Sequence, residues 1–161
     1  MKDDVFKILF VCTGNMCRSP MAEGILKDCL DKKNIDTILV ESAGTGAPVG
    51  MAPTHHAIAV SSEKEIDISD HRARLISDEM IRHSDLILVM EQAHKLFINS
   101  YSPLQENKVH LLTGFNQTGK AKDIADPIGR NMEAYRRCFH ELECEIHRIL
   151  PDLITVAGES T

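Results

Sequence analysis

The segment Phe6–Cys12 is a continuous apolar run, the pattern of a strand buried on both faces. From Ser19 to about Lys33 the period changes, and Ala22, Ile25, Leu26, Cys29 and Leu30 fall at helical spacing. Thr37–Glu41 reads as a second strand, followed by Ser42-Ala43-Gly44-Thr45-Gly46-Ala47-Pro48, a loop by composition. His55–Glu65 predicts a helix weakened by Ser61 and Ser62, and Asp78–His83 a shorter one. Asp85–Met90 is another buried strand, Glu91–Asn99 a helix and Lys108–Leu112 a fourth strand. A loop runs from Thr113 to about Gly129. The last helix is the clearest, with Met132, Tyr135, Phe139, Leu142, Ile146 and Ile149 spaced alternately by three and four, and Pro151 marking its end.

Strands alternating with helices predict a doubly wound α/β domain: a four-stranded parallel sheet with helices on both faces, three layers in all. No repeat, low-complexity segment or linker divides the chain, so residues 1–161 are expected to form a single domain. In such a fold ligands bind beyond the carboxyl ends of the strands, where a loop leads into a helix. The first strand ends at Cys12.

Composition narrows the chemistry. The 161 residues are 43% hydrophobic and 26% charged, as in a soluble globular protein, and the formal net charge is −6. General attraction to nucleic acid or anionic membrane is therefore not expected, and positive charge for an anionic substrate must be local. The apolar run Ile8–Cys12 is too short for a signal-peptide core or a membrane span. Five cysteines, an odd number without a secretory signal, argue against a disulfide framework and for a reducing, cytoplasmic setting. A monomer is expected.

Between the first strand and its helix lies Val11-Cys12-Thr13-Gly14-Asn15-Met16-Cys17-Arg18-Ser19-Pro20. Cysteine, five residues, arginine and serine suit a loop that curls around a tetrahedral oxyanion. Backbone N–H groups from Thr13 to Arg18 can point inward as an anion nest. Gly14 and Asn15 tolerate the unusual angles of such a curl, and Pro20 suits a first helical turn. The helix N-terminus adds partial positive charge, which favours the thiolate form of a cysteine held at the centre. Arg18 can clamp two phosphoryl oxygens with its planar fork, and Ser19 can donate its hydroxyl to the Cys12 sulfur. A bare cysteine and arginine six apart recur by chance. A strand before, a helix after, Gly-Asn within and Ser-Pro behind make this pair a site.

Residues 11–20 resemble the signature loop of the low-molecular-weight tyrosine phosphatases. Further matches are Ser42-Ala43-Gly44, His71-Arg72-Ala73-Arg74, Asp85–Met90 and Asp126-Pro127, so that the resemblance covers about residues 6 to 150. It implies that Cys12 is the nucleophile, Arg18 the phosphate clamp and Asp126 the general acid. It also implies that Asn15, Ser19, Ser42 and His71 hold the loop by hydrogen bonds, and that phosphotyrosine proteins are the substrates. On sequence grounds alone Asp126-Pro127 is a common turn pair, and His71 a plain surface histidine. Cys17 is either a core-facing loop residue or, with Cys12, a redox pair whose disulfide protects the nucleophile. The remaining histidines lack metal-ligand spacing, and neither metal nor other cofactor is expected. Cys29, Cys138 and Cys144 read as packing residues.

The pattern also departs from the family. Ile128 and Gly129 stand where two aromatic residues often follow the Asp-Pro pair, and Ala47-Pro48-Val49 lacks an aromatic at the opposite rim. Thr13 after the nucleophile resembles arginine phosphatases on the same scaffold, which makes phosphoarginine the alternative substrate. An arsenate reductase would need further redox cysteines, and none lies between Cys29 and Cys138. A non-catalytic phosphoprotein-binding module would not need Cys12, Arg18 and Asp126 together.

Overall fold

A computed structural model describes residues 5–117 and 121–159. Its centre is a parallel four-stranded sheet: β1 (Phe6–Cys12), β2 (Ile38–Gly44), β3 (Leu86–Val89) and β4 (Val109–Leu111), in the order β2-β1-β3-β4. The helices are α1 (Arg18–Lys32), α2 (His55–Ser62), α3 (Asp78–His83), α4 (Gln92–Tyr101) and α5 (Met132–Glu159). This is the expected architecture. Along β1 the side chains alternate as the strand period requires. Ile8, Phe10 and Cys12 pack with α1, α2 and α5 on one face, while Leu9 and Val11 pack with Ile81 of α3 and Ile98 of α4 on the other. With β2 and β3 on either side of β1, the chain reverses its direction of winding at β1, and a crevice opens beyond its carboxyl end.

Three boundaries differ from expectation for physical reasons. β2 continues through Ser42-Ala43-Gly44, expected as loop, because parallel pairing with β1 carries on to Cys12↔Gly44. Helix α2 ends at Ser62 rather than Glu65, where Glu65 takes a left-handed φ of 59° and the Ile66 N–H returns to the Ser61 carbonyl. Helix α5 does not end at Pro151 but runs to Glu159 with that proline inside it. A proline in a helix interior costs about 3 kcal/mol. The buried stripe continues past it through Leu153 and Ala157, and a fully buried leucine contributes about 1.5–3 kcal/mol. The Thr155 hydroxyl also donates to the Pro151 carbonyl at 3.0 Å. A 3-10 turn at Pro103–Lys108 was not anticipated. Among the described residues no helix is long and apolar enough to cross a membrane.

Candidate active site

The segment after β1 wraps around the Cys12 sulfur. Its conformation depends on Asn15, which takes a left-handed φ of 54° and is fully buried. Gly14, expected to share that role, has no positive φ and faces open space where a Cβ would stand. The glycine this curl requires is Gly44 at the end of β2. A Cβ there would overlap the Thr13 carbonyl oxygen and stand 3.0 Å from the Asn15 nitrogen. The loop is then stitched to the following segment, with Thr45 N–H on the Cys12 carbonyl, Gly46 N–H on the Thr13 carbonyl and Thr54 N–H on the Met16 carbonyl.

Hydrogen bonds of definite direction converge on Cys12. The Asn15 amide donates to Ser19 Oγ at 2.8 Å and to Ser42 Oγ at 3.0 Å. The Ser42 hydroxyl in turn donates to Glu23 Oε1 at 2.6 Å. Because Ser19 Oγ already accepts from Asn15, its proton is free for Cys12 Sγ, 2.9 Å away. The Asn15 N–H lies 3.3 Å from the same sulfur. Asn15 Oδ1 accepts from the Arg74 N–H at 2.8 Å, and the Asn15 carbonyl accepts from His71 Nε2 at 3.0 Å. Burial holds His71 below its ordinary pKa. Asn15, Ser19, Ser42 and His71, expected as loop supports, are thus brought together.

Arg18 opens α1 and is buried despite its charge. Nη1 donates at 2.7 Å both to Glu91 Oε2 and to the Ile124 carbonyl, and Nη2 lies 3.3 Å from Asp126 Oδ2. Burial works to lower its pKa, but the Glu91 hydrogen bond and the nearby Cys12 and Asp126 charges outweigh it and hold it raised. Nε has no acceptor among the described residues, so one N–H of the fork remains for an oxygen of an anion in the loop. The first turn of α1 has no side-chain cap at Cys17 and no acidic residue, which leaves its N–H groups for the same anion. Asp126 approaches from the loop before α5. Its Oδ1 accepts the Ile128 N–H at 3.1 Å, a local turn that fixes the carboxylate's direction. Cys12, Arg18 and Asp126 therefore meet at the crevice beyond β1.

Two side chains here escaped the sequence reading. Glu91, directly after β3, holds Arg18; a carboxylate following the strand beside the first was the available signal. His94 is buried, and its spacing from the other histidines, which suits no metal, gives no sign of this place. Its Nδ1 accepts the Glu91 N–H at 3.1 Å, so the ring proton sits on Nε2 and is donated to Thr13 Oγ1 at 2.8 Å. Burial, then the Arg18 charge, keeps His94 below its ordinary pKa.

Cys17 faces the core rather than the cleft. Its sulfur lies 3.3 Å from the Tyr135 hydroxyl and 3.6 Å from Thr54 Oγ1, and burial raises its pKa. Tyr135, buried and bonded to Cys17, is pushed up to about 12. Met16 packs partly against the core, while the Thr13 side chain is exposed. Val49 and Met51, on the segment stitched to the loop, and Ile128, two residues after Asp126, are exposed apolar side chains.

A family model described as low molecular weight phosphotyrosine protein phosphatase matches residues 7–157. A protein-arginine-phosphatase of Geobacillus stearothermophilus is 39% identical over 150 residues, covering 93% of this chain and 97% of that one. The low molecular weight protein-tyrosine-phosphatase Wzb of Salmonella typhi is 36% identical over 137 residues, covering 85% and 87%. The crystal structure of a low molecular weight protein tyrosine phosphatase from T. tengcongensis superimposes with a TM-score of 0.86 at 37% identity, covering 91% of this chain and 99% of that one.

Proposed function

The chain belongs to the low molecular weight phosphotyrosine protein phosphatase family and is a hydrolase; from that premise we propose that it dephosphorylates phosphotyrosine proteins through a phosphocysteine at Cys12. The observation that carries this reading is the one-way chain Asn15 to Ser19 to Cys12 Sγ, beside an arginine whose Nε is unpaired.

In the first step the Cys12 thiolate attacks phosphorus and the P–O bond to the leaving group breaks. Asp126 gives that oxygen its proton. The backbone N–H groups from Thr13 to Arg18, with the Arg18 fork, hold the three phosphoryl oxygens as charge spreads over them. Asp126 stands 3.3 Å from the Arg18 fork, beside the group that holds the phosphoryl oxygens. In the second step Asp126 accepts a proton from water, the water oxygen attacks phosphorus and the P–S bond breaks. Ser19 stabilises the returning thiolate.

Phosphotyrosine is favoured because the exposed residues Val49, Met51 and Ile128 are apolar, and because Glu91 and Asp126, the carboxylates on Arg18, are already engaged. One observation favours phosphoarginine as a second reading: the exposed Thr13 hydroxyl, turned by His94, offers a lone pair to a guanidinium N–H. The cysteines are free, which suits a reducing cytoplasm. Helix α5 packs on both α1 and α2, which suits a single domain.

The test is kcat/KM on matched phosphotyrosine, phosphoarginine and phosphoserine peptides, with Cys12→Ser alongside. Phosphotyrosine should lead and phosphoserine trail, and the variant should fall to about 10⁻³ of wild type or less while still binding vanadate. A lead for phosphoarginine moves the protein to the second reading. A Cys12→Ser protein retaining about a tenth of the activity rules out the covalent route.

A further inference from the structure

The chain has eight arginines and a net charge of −6. Among the described residues, six of the eight guanidinium groups have partners. Arg18 holds Glu91, Arg72 the Ser69 carbonyl, Arg74 the Ser42 carbonyl, Arg82 Asp78, Arg136 Glu63 and Arg148 Glu145. The two without a partner, Arg130 and Arg137, are not scattered. Both line one cavity of about 270 Å³, whose wall also includes Asp126, Pro127, Cys138 and Glu141.

The local sequence builds this arrangement. Pro127-Ile128-Gly129-Arg130 closes a turn in which the Arg130 N–H bonds the Pro127 carbonyl at 3.0 Å. Gly129, third in the turn, takes a φ of 75°, which a side chain would oppose. The turn returns Arg130 to the start of α5, where the Asn131 side chain caps the Ala134 N–H, and Arg137 lies further along that helix. The carboxylates of the same cavity are already satisfied, Asp126 near Arg18 at 3.3 Å and Glu141 on Lys122 at 3.1 Å. Two arginines without an ion-pair partner among the described residues thus line one concavity, and Asp126 lines it with them.

We propose that this cavity is a second anion subsite, which takes an acidic group of the substrate protein, a carboxylate or second phosphate, close to the phosphorylated residue. This rests on the phosphatase reading above and assigns it a substrate class. Arginine suits the task because its fork meets carboxylate and phosphate oxygens two at a time. The sharing of Asp126 by cavity and active site lets one substrate reach both at once. No covalent step is involved. The subsite acts through charge and position alone, and so it discriminates among proteins while leaving a small phosphate ester untouched.

The experiment compares a neutral phosphopeptide with a set carrying one glutamate at each neighbouring position, using whichever phosphoresidue the enzyme turns over faster. p-Nitrophenyl phosphate serves as the substrate too small to reach the cavity. Wild type should prefer at least one acidic peptide by about two- to fivefold in kcat/KM, the range for exposed charge pairs. The preference should vanish in Arg130→Gln/Arg137→Gln and invert toward lysine peptides in Arg130→Glu/Arg137→Glu. Raising the salt to about 1 M, where the Debye length is about 3 Å, should also erase it. Hydrolysis of p-nitrophenyl phosphate should stay within about twofold in both variants. The subsite is overturned if no glutamate position helps the wild type, or if the variants lose neutral and acidic peptides equally. Failure to hydrolyse p-nitrophenyl phosphate at all would instead sink the phosphatase reading on which it stands.

Discussion

The loop that follows Cys12 leads into Arg18 and the loop that carries Asp126 meets the same guanidinium, yet they are built differently. In the first, Asn15 alone has its side-chain amide, side-chain oxygen, backbone N–H and carbonyl all engaged, and Asn15, Cys17 and Arg18 are buried while Thr13 is open to solvent. The acid loop is held at a few points: Ile124 N–H on the Met90 carbonyl, the Ile124 carbonyl on Arg18, Gln92 N–H on Asp123, and the turns after Asp126. Asp126 and its neighbours Ile128 and Arg130 are open to solvent in varying degree. The contrast follows from the work proposed for each. A fixed cradle stabilises charge that always develops in one place, and any reorganisation there would weaken it. A proton carrier must serve two steps and meet leaving groups of varied shape, and so it sits where substrates enter.

The largest effect that sharpens this comparison is expected from Asp126→Asn, which removes both proton transfers with little change of shape. Turnover should fall by about 10²–10⁴-fold, while phosphate affinity changes far less, because the anion is held by the other loop. In single turnovers of substituted aryl phosphates the loss should grow as the leaving group becomes more basic. Equal dependence on leaving-group pKa in wild type and variant would remove Asp126 from the role and point to Asp123.

That contrast also explains what could be read from the sequence. The phosphate loop was legible because its logic is local: strand, cysteine, Gly-Asn, arginine and Ser-Pro are contiguous. The partners of Arg18 were only half legible. Asp126 came from resemblance, whereas Glu91 lies 73 positions away and meets Arg18 only because β3 pairs with β1. His94 looked like one histidine among eight until the fold supplied its two neighbours. Sheet and helices followed from period, since burial imposes it. Their ends did not. Pro151 obeys a local rule that the buried stripe of α5 overrides, and Ser42-Ala43-Gly44 reads as loop until pairing with β1 makes it strand.

A smaller effect is expected inside the rigid loop itself, at Cys17. Peroxide converts Cys12 to the sulfenic acid; condensation with the Cys17 thiol then forms the disulfide and expels water. Cys17 must first leave Tyr135 and Thr54, and burial favours its protonated form, so the disulfide should form more slowly than the initial oxidation. After peroxide and then a dithiol, wild type should regain most of its activity and Cys17→Ser about a tenth as much, as its Cys12 proceeds to sulfinic acid. Peptide mass spectrometry reads the outcome. Sulfinic Cys12 beside a free Cys17 in the wild type would end the protective role.

The smallest effect concerns the link between the two loops. His94 receives the Glu91 N–H and donates to Thr13, so it ties the residue after the nucleophile to the carboxylate that steadies Arg18. His94→Gln can replace one of these bonds but not both, since an amide cannot span the ring's two nitrogens. Losing one hydrogen bond of about 0.5–1.5 kcal/mol should raise KM for a phosphate ester by about two- to tenfold, with kcat changed less. The same residue has a signature in pH. Its folded pKa is lowered, chiefly by burial, so the unfolded chain binds the proton more readily. The neutral ring's stability is therefore fully present above the unfolded value of about 6.5 and is lost as pH falls through the folded value. His71 and His110 are shifted in the same direction and remain in the variant. Urea denaturation across that window should therefore show a shallower acid slope for His94→Gln, not a flat one. Identical slopes, together with an unchanged KM, would mean that the two loops are not coupled through this histidine and that Glu91 is steadied by Arg18 alone.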